Sequence, residues 1–371
     1  MTYLTTPTAS PVGGPARVAE PGEGISLEEL QLAARNHGMP LEAMHQDVTP
    51  PGLHYVLVHY DIPMLDPSDF RLEVSGCVER KLGLGADLYD LPSRTVRVTM
   101  ECAGNGRAQL LPRPVSQPWL VEAVGTADWT GVPLRYILDQ AVLTDDAHSV
   151  VFTGADHGVE RGVEQDYQRG LTLADALDPD VLVVHSMNGQ PLPPQHGFPL
   201  RLIVPGWYGM AQVKWLRAIT VIDHEFDGYQ NAVAYRLKQQ PDDAGTPITR
   251  IEPRALLVPP GYPDFMSRHR FLHPGPVTLH GRAWSGWAPV DRVEVTTDGG
   301  ATWSAATLGP EPGRYAWRGF TFGWEAGPGT TTLAARAYDG SGRAQPEQAG
   351  WNRGGFTNNS AQTVEVTVLD A

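Results

Sequence analysis

The sequence contains very little cysteine. Cys77 and Cys102 are the two cysteines among 371 residues, too few for the disulfide frameworks that stabilise small secreted domains. This scarcity excludes a disulfide-rich protein and makes each thiol a separate question. We predict that one cysteine has a chemical role and that the other is a bystander.

The chain also lacks a long apolar run and an excess of positive charge. No window approaches the ~20 apolar residues that a membrane-spanning helix needs. The 28 Lys and Arg residues are outnumbered by 42 Asp and Glu, giving a formal net charge of -14. The protein should therefore repel nucleic acids and anionic membranes, and we expect neither as a partner. An anionic substrate would need a local basic pocket.

The first residues lack the features of an export signal. Residues 1–24 are rich in Thr, Pro, Gly and Ala. They contain neither a basic segment followed by an apolar one nor a twin-arginine motif. We predict a flexible tail over 1–24 and a cytoplasmic protein.

Length and periodicity predict two domains. The pattern Ser26–Glu29 is a capping box in front of an apolar helical face, and short helices are predicted at 134–140 and 171–177. Strand patterns dominate from Tyr55 onward, so residues 25–240 should form an α+β domain. The clearest strand predictions in this domain are 72–74, 96–100, 181–184 and 200–204.

The pattern changes after a polar stretch, Gln239–Thr246, which carries Pro241 and Gly245 and is typical of a linker. Residues 247–371 should form an immunoglobulin-like β-sandwich, because short strand patterns alternate with turn signals such as Asp298-Gly299-Gly300. The strands predicted there are 277–281, 293–297, 314–317, 331–337 and 364–368.

The segment Glu101–Arg107 is the strongest candidate for chemistry. Cys102 follows a predicted strand in a loop with two glycines, which let the backbone approach a bulky ligand closely. A thiolate is a ligand for soft metals, and Arg107 would help to hold the thiolate and attract an anion. The alternative interpretation is a buried structural cysteine at a strand end, which is the interpretation we give Cys77.

Several motifs resemble segments of the sulfite oxidase family of molybdopterin-dependent oxidoreductases. Because they occur in the same order as in that family, the resemblance is specific, whereas any one motif alone would be weak evidence. The resemblance runs from about Asp47 to the C-terminus. The matching segments are Met100–Asn105, Val124–Val132, Met187–Pro193, His196–Arg201, Val213–Leu216, Ala283–Gly286 and Asp298–Trp303. The last two resemble the dimerisation domain of the family, so the resemblance implies a homodimer.

The resemblance assigns roles position by position. Cys102 matches the cysteine that binds molybdenum, and Arg107, Tyr235 and Trp119 match catalytic or substrate-pocket positions. Lys and Arg are natural phosphate partners, and a carboxylate can accept from pterin amino groups. The residues expected to bind the molybdenum–molybdopterin cofactor are Tyr55, His59, Asp156, His196, Arg201, Gln212, Val213 and Lys214.

The chain departs from the family pattern where the family carries substrate-binding arginines. Leu57 stands two residues before His59 in place of one arginine, and Gly354 stands in place of another, with Arg353 beside it. The triplet Arg35-Asn36-His37 resembles the missing arginine motif but lies far upstream. We interpret it as coincidence; the alternative is that it folds over the pocket mouth.

The resemblance implies oxygen-atom transfer at molybdenum, with oxidation of sulfite to sulfate as the first expectation. The sequence shows no haem-binding domain, so we expect an external electron carrier and no haem. The departures at Leu57 and Gly354 keep open a different small oxyanion or an S- or N-oxide as substrate. Two other classes remain as alternatives: a hydrolase, although no HExxH or GxSxG motif supports it, and a binding module without catalysis.

Overall fold

The structure is a computed structural model that describes residues 17–160 and 162–370. Residues 1–16 of the predicted tail lie outside this range. Residues 17–24 do not form a free tail, because Val18 pairs with Pro114 in an antiparallel bridge and the amide of Ala19 donates to the carbonyl of Arg113 at 2.8 Å. The start of the described chain is therefore fixed against the main body.

The helices are short and lie in the first part of the chain: α1 spans Leu27–Arg35, α2 Leu134–Ala141 and α3 Leu173–Ala176. The predicted capping box is confirmed, since Ser26 Oγ accepts from the amide of Glu29 and the Glu29 carboxylate accepts from the amide of Ser26. The helix predicted at 171–177 is shorter than expected, because residues 171 and 172 complete the preceding strand.

The first part of the chain places α1–α3 beside two sheets, which is the α+β architecture predicted. One sheet has the order β2-β1-β10-β5-β6, and the other runs β3-β4-β7, with β8 and β9 both paired to β7. The strands are β1 Leu72–Gly76, β2 Leu82–Leu84, β3 Arg94–Glu101, β4 Val124–Pro133, β5 Ser149–Glu160, β6 Val163–Thr172, β7 Leu182–Met187, β8 Gln190–Pro191, β9 Arg201–Ile203, β10 Leu216–Ile222, β11 Arg236–Leu237 and β12 Thr246–Pro247.

The second part of the chain consists of two sheets around one apolar core. Their orders are β13-β16-β20-β19 and β14-β15-β22-β21-β17-β18. Side chains from both, such as Leu279 and Phe320 from one and Val293 and Val366 from the other, meet in that core. The strands are β13 Arg254–Leu257, β14 Tyr262–Pro263, β15 Arg270–Leu272, β16 Gly275–Trp284, β17 Val290–Thr296, β18 Ser304–Ala305, β19 Thr307–Leu308, β20 Arg318–Ala326, β21 Gly329–Asp339 and β22 Thr363–Val368.

Two predictions about this region were wrong. Residues 314–317 form a turn, because Tyr315 donates to Asp180 and Trp317 to the carbonyl of Asp47, both in the first part of the chain. These aromatic side chains anchor the two parts together instead of alternating along a strand. The polar stretch 239–246 is the turn of a small hairpin, since β11 pairs with β12, and it is not an open linker.

A buried cluster joins the two parts near the middle of the chain's folded body. Met39, Ala103 and Tyr208 of the first part pack with Trp284 and Trp317 of the second. Over the residues that the structure describes, no helix is long and apolar enough to span a bilayer.

Candidate functional site: two adjoining cavities at Cys102

Cys102 lies directly after β3 and is held by the backbone around it. Its amide donates to the carbonyl of Ala123 at 2.9 Å, and its carbonyl accepts from the amide of Asn105 at 3.0 Å. Asn105 in turn accepts from the amide of Ala123 and donates to the Glu101 carboxylate. The thiol is buried, with 7% exposure, in a loop whose position is set by main-chain and amide hydrogen bonds.

Glycine is required at two positions in this loop. Gly106 has a φ of +89°, and a Cβ on Gly104 would lie 2.4 Å from the Arg107 guanidinium. The lack of a side chain at Gly104 therefore leaves room for Arg107 to fold back close to Cys102. Burial raises the pKa of the Cys102 thiol, and the charge of Arg107 acts against that rise.

The second part of the chain supports this loop. Glu101 accepts from Trp284 Nε1 at 2.8 Å, and its carboxylate lies 2.9 Å from Arg254 Nε. Asn358 Nδ2 donates to the carbonyl of Gly106 at 2.7 Å, and the amide of Thr357 donates to the carbonyl of Ala103 at 2.8 Å. The position of Cys102 thus depends on both parts of the fold.

Cys102 opens onto a cavity that we call the inner cavity, with about 630 Å³ of space that no atom fills, including its opening to solvent. The structure brings most of the predicted cofactor residues to its wall, although they come from five separate segments of the chain. The predicted residues that line it are Tyr55, His59, Cys102, Asp156, His196, Arg201, Gln212, Lys214 and Tyr235. Val213 is the exception, since its side chain packs in the apolar core behind the wall.

Two buried cations line the inner cavity without a carboxylate partner among the described residues. Arg201 donates to the carbonyls of His196 and Gln212, but its Nε has no hydrogen-bond partner there. Lys214 Nζ donates to the carbonyls of Leu57 and Gln195. Burial lowers the pKa of Arg201 to about 10 and that of Lys214 to about 7; for Lys214 the charge of Arg201 adds to the shift and the Asp156 carboxylate opposes it.

Asp156 faces the same cavity with a buried carboxylate oxygen. A register shift between Thr153 and His157 interrupts the pairing of β5 with β6 and turns Asp156 inward. Its Oδ1 is buried without a hydrogen-bond partner among the described residues, and burial raises the pKa of its carboxyl to about 6. Buried polar atoms are normally paired, so these orphans indicate a missing polar ligand.

These features fit a molybdopterin cofactor. Its phosphate would bind to Arg201 and Lys214, and its amino groups would donate to Asp156. The Cys102 thiolate would be the ligand of the metal. Within residues 17–160 and 162–370, no group of three or more His, Cys, Asp or Glu side chains is arranged to hold a metal ion by itself.

A second space, the outer cavity, adjoins the inner one. Leu57, His59, Cys102 and Tyr235 line both cavities, so the thiol stands at their junction. The other two residues predicted to act on substrate, Arg107 and Trp119, lie on the outer wall.

His59 and Tyr235 form a hydrogen-bonded pair at the junction. Tyr235 Oη lies 2.8 Å from His59 Nε2. Burial lowers the pKa of His59 to about 4, with Glu160 opposing the shift and Lys214 and Arg35 adding to it, and burial also raises the pKa of the Tyr235 phenol well above its ordinary value. Near neutral pH the imidazole is uncharged and the phenol keeps its proton, so the phenol can donate to the unprotonated nitrogen.

Arg107 is fixed with its guanidinium against the second part of the chain. Its Nε donates to the carbonyl of Gly354 at 2.9 Å and its Nη1 to the carbonyl of Gln117 at 3.0 Å. A Cβ on Gly354 would lie 2.4 Å from the Phe356 ring. The glycine that replaces the expected arginine therefore leaves room for the Phe356 ring, and its backbone carbonyl anchors Arg107.

The interpretation of Arg35-Asn36-His37 as coincidence was wrong. The triplet runs beside residues 56–59: His37 pairs with Val56, and Asn36 Oδ1 accepts from the amide of Val58 at 2.7 Å. Arg35 donates to the carbonyl of His59 and lines the outer cavity. Arg353 is not among the described residues on the wall of either cavity.

Some wall residues escaped the sequence analysis. Tyr167 packs on His59 with ring centroids 4.7 Å apart and donates to the carbonyl of Met210, and Glu160 lines the outer cavity. Both lie on the hairpin of β5 and β6. Only the strand pairing brings that hairpin to the site, so no local motif marks these residues.

Comparison with known proteins agrees with this geometry. Residues 59–230 match the family model described as oxidoreductase molybdopterin binding domain, and residues 254–369 match the one described as Mo-co oxidoreductase dimerisation domain. The NADH nitrate reductase of Brassica napus, clone PBNBR1405, is 33% identical over 351 residues, which cover 86% of this chain and 38% of that protein.

A tomato relative gives the same result. The NADH nitrate reductase of Solanum lycopersicum is 33% identical over 354 residues, covering 87% of this chain and 39% of that protein. The chain thus spans about two fifths of the length of these relatives. Among solved structures, the sulfane dehydrogenase SoxCD of Paracoccus pantotrophus superposes with a TM-score of 0.79 at 24% identity, covering 100% of this chain and 96% of that one. This last likeness concerns the fold.

Proposed function

Because this chain belongs to the sulfite oxidase family of molybdopterin-dependent oxidoreductases, we propose that it transfers an oxygen atom between water and a small substrate. The observation that carries the proposal is the position of Cys102. Its thiol stands where an inner cavity, lined by two buried cations without an ion-pair partner among the described residues, meets an outer cavity with Arg107 on its wall.

The inner cavity would hold the molybdenum–molybdopterin cofactor. Cys102 would ligate the metal, Arg201 and Lys214 would bind the phosphate, and Asp156 would accept from the pterin. When bound, this cofactor supplies a metal that exchanges an oxygen atom with the substrate and takes up two electrons. Filling the cavity would satisfy the polar atoms that the protein alone leaves without partners.

The residues of the outer cavity would bind and orient the substrate. Arg107 would attract an oxyanion, and its backbone hydrogen bonds would keep the guanidinium aimed at the cavity. Tyr235, whose proton is held by burial, would donate to a substrate oxygen or keep its bond to His59. Trp119 would close the apolar side and exclude water.

Sulfite is the first substrate to test. Its oxidation adds one oxygen from water to the sulfur and releases two protons and two electrons, giving sulfate. The electrons would leave one at a time to an external carrier. A second candidate is the oxidation or reduction of another small oxyanion or of an S- or N-oxide. Leu57 favours it, because this apolar side chain stands on both cavity walls where the family pattern has a cation.

The proposal is tested on protein produced in a host that makes molybdopterin. Sulfite with ferricyanide as acceptor tests oxidation, and nitrate or dimethyl sulfoxide with reduced viologen tests reduction. Turnover that depends on molybdenum content supports the proposal. Fully loaded protein that turns over none of these compounds would contradict it.

We also propose that the second part of the chain makes the protein a homodimer, in keeping with the dimerisation-domain match. Its two sheets around one core are compatible with an immunoglobulin-like sandwich. Closed two-fold pairing is the commonest form of assembly for such a domain.

A further inference from the structure

The outer cavity carries charges of both signs. The charged side chains on its wall, within the described part of the chain, are Arg35, Arg107 and Glu160. A site for a small dianion such as sulfite would be expected to surround it with cations only, because a carboxylate in the same space repels it. The presence of Glu160 therefore bears on what the cavity accepts.

Glu160 is held on the cavity wall by its surroundings. It ends β5 and pairs across the hairpin with Val163, and the side chain is only partly exposed. Gln230, which is 1% exposed, donates from Nε2 to Glu160 Oε2 at 2.9 Å. Oε1 has no hydrogen-bond partner among the described residues, so one carboxylate oxygen remains available to a ligand.

Arg107 and Glu160 belong to different structural elements of the cavity wall. Arg107 belongs to the Cys102 loop and acts electrostatically on the thiol. Glu160 belongs to the hairpin and acts on His59, as does Arg35 at the mouth. The same wall also carries the apolar side chains of Leu57, Trp119 and Phe356.

The space is also large for sulfite. The outer cavity has a volume of about 300 Å³, whereas sulfite is a four-atom ion. A cavity that offers a cation, a carboxylate and apolar side chains suits a substrate with two charged groups joined by a short alkyl spacer.

We propose that the outer cavity selects a singly charged sulfur oxyanion that also carries an ammonium group, such as an aminoalkylsulfinate, with the oxyanion toward Arg107 and the ammonium toward Glu160. This inference rests on the proposed function and names its substrate class. The zwitterion offers a partner to Arg107 and a partner to Glu160, whereas sulfite offers one to the cations alone and is repelled by Glu160.

The reaction balances in the same way as sulfite oxidation. The sulfinate sulfur forms one new bond to an oxygen that comes from water, and both O–H bonds of that water break. A sulfonate, two protons and two electrons result. The electrons pass to an external one-electron acceptor, for which ferricyanide substitutes in the assay.

The first experiment compares two sulfinates, one with and one without an ammonium group, and includes sulfite as a third substrate. The molybdenum-loaded protein is assayed with 2-aminoethanesulfinate, ethanesulfinate and sulfite. We expect kcat/KM to be roughly tenfold higher for the amino compound than for ethanesulfinate, because only the amino compound can pair with Glu160. A tenfold difference corresponds to about 1.4 kcal/mol. Equal values for the two sulfinates would overturn the inference.

The second experiment assigns the selectivity to Glu160. In Glu160→Gln the preference for the amino compound should fall to near unity while KM for sulfite decreases. Glu164→Gln is the matched control, because it removes the same charge from the same hairpin. The Glu164 side chain is 77% exposed, and Glu164 is not among the described residues that line the cavity. Equal effects of the two variants would contradict a role for Glu160.

A binding measurement separates this inference from the proposed function. Calorimetry on the loaded protein compares 2-aminoethanesulfonate with ethanesulfonate, the two products, and needs no turnover. We expect the amino compound to bind roughly tenfold more tightly to the wild type, and Glu160→Gln to abolish the difference. Loaded protein that oxidises no sulfur oxyanion would refute the function; equal affinities in the wild type would refute the selectivity alone.

Discussion

Arg254 Nε lies 2.9 Å from the carboxylate of Glu101, and both side chains are almost completely buried, at 2% and 1% exposure. Glu101 precedes Cys102, so this ion pair ties the second part of the chain to the thiol loop. Trp284 and Asn105 donate to the same carboxylate. Buried charges of this kind are costly to separate, because removal of one partner leaves the other without compensation.

Arg254→Met should therefore destabilise the protein by about 3–5 kcal/mol, measured by denaturant unfolding of the cofactor-free chain. Arg135→Met, which removes an exposed cation near Asp139, should cost less than about 1 kcal/mol. The double variant Glu101→Gln with Arg254→Met should recover part of the loss. A loss for Arg254→Met as small as that for Arg135→Met would show that the pair is not important for stability.

Molybdenum content should depend on Cys102 and not on Cys77. We expect about one molybdenum per loaded chain in the wild type, and a loss of the metal and of activity in Cys102→Ser, because a serine oxygen is a poor ligand for a soft metal. Cys77→Ser is the control, since Cys77 is partly exposed and lies on neither cavity wall among the described residues. Elemental analysis decides; metal retained in full by Cys102→Ser would exclude the thiolate as ligand.

The stability of the cofactor-free protein should decrease as the pH rises from about 4 to about 6. Burial raises the pKa of Asp156 to about 6, so in this window the folded chain holds a proton that the unfolded chain has released. The full effect is roughly 3 kcal/mol for a shift of about two units. Asp156→Asn should flatten this part of the profile, with the exposed Asp139→Asn as control, both followed by unfolding at each pH.

Lys214 should produce the opposite slope at higher pH. Burial lowers the pKa of its ammonium to about 7, so between about pH 7 and pH 10 the unfolded chain holds a proton that the folded chain has lost. Stability should therefore rise with pH across this range. Lys214→Met should remove the rise, and an unchanged profile in that variant would show that Lys214 is not the titrating group.

Arg35 should act as a substrate-binding cation, and Arg353 should not. Arg35→Ala should raise KM for sulfite by about threefold to tenfold, because it removes a positive charge from the outer cavity. Leu57→Arg should lower KM by a similar factor, although the larger side chain need not improve kcat. Arg353→Ala is the control with no expected effect. Steady-state kinetics in which Arg353→Ala alone raises KM would reverse this assignment.

The oligomeric state should be dimeric. Light scattering of the purified protein at tens of micromolar should give twice the mass of one chain. A monomer mass at that concentration would contradict the proposal, and the dimerisation-domain match would then describe only the fold.

The sequence by itself determined what depends on local pattern. The capping box at Ser26 predicts α1 because the reciprocal hydrogen bonds span only four residues, and Cys102 is recognisable because a strand, two glycines and Arg107 are neighbours in the chain. The family motifs identified most of the inner-cavity residues, since the cofactor-like block from Met187 to Leu216 is continuous enough to be recognised.

The tertiary structure alone decided what depends on long-range pairing. Arg35 reaches the outer cavity because residues 36–37 pair with 56–58, and Glu160 is held on its wall by Gln230, which is distant in sequence and donates to its carboxylate. Arg314–Trp317 fits a strand pattern, but its aromatic side chains bind the other part of the chain and bend it into a turn. In each case the interaction that decides the position joins residues distant in sequence, and no local pattern contains it.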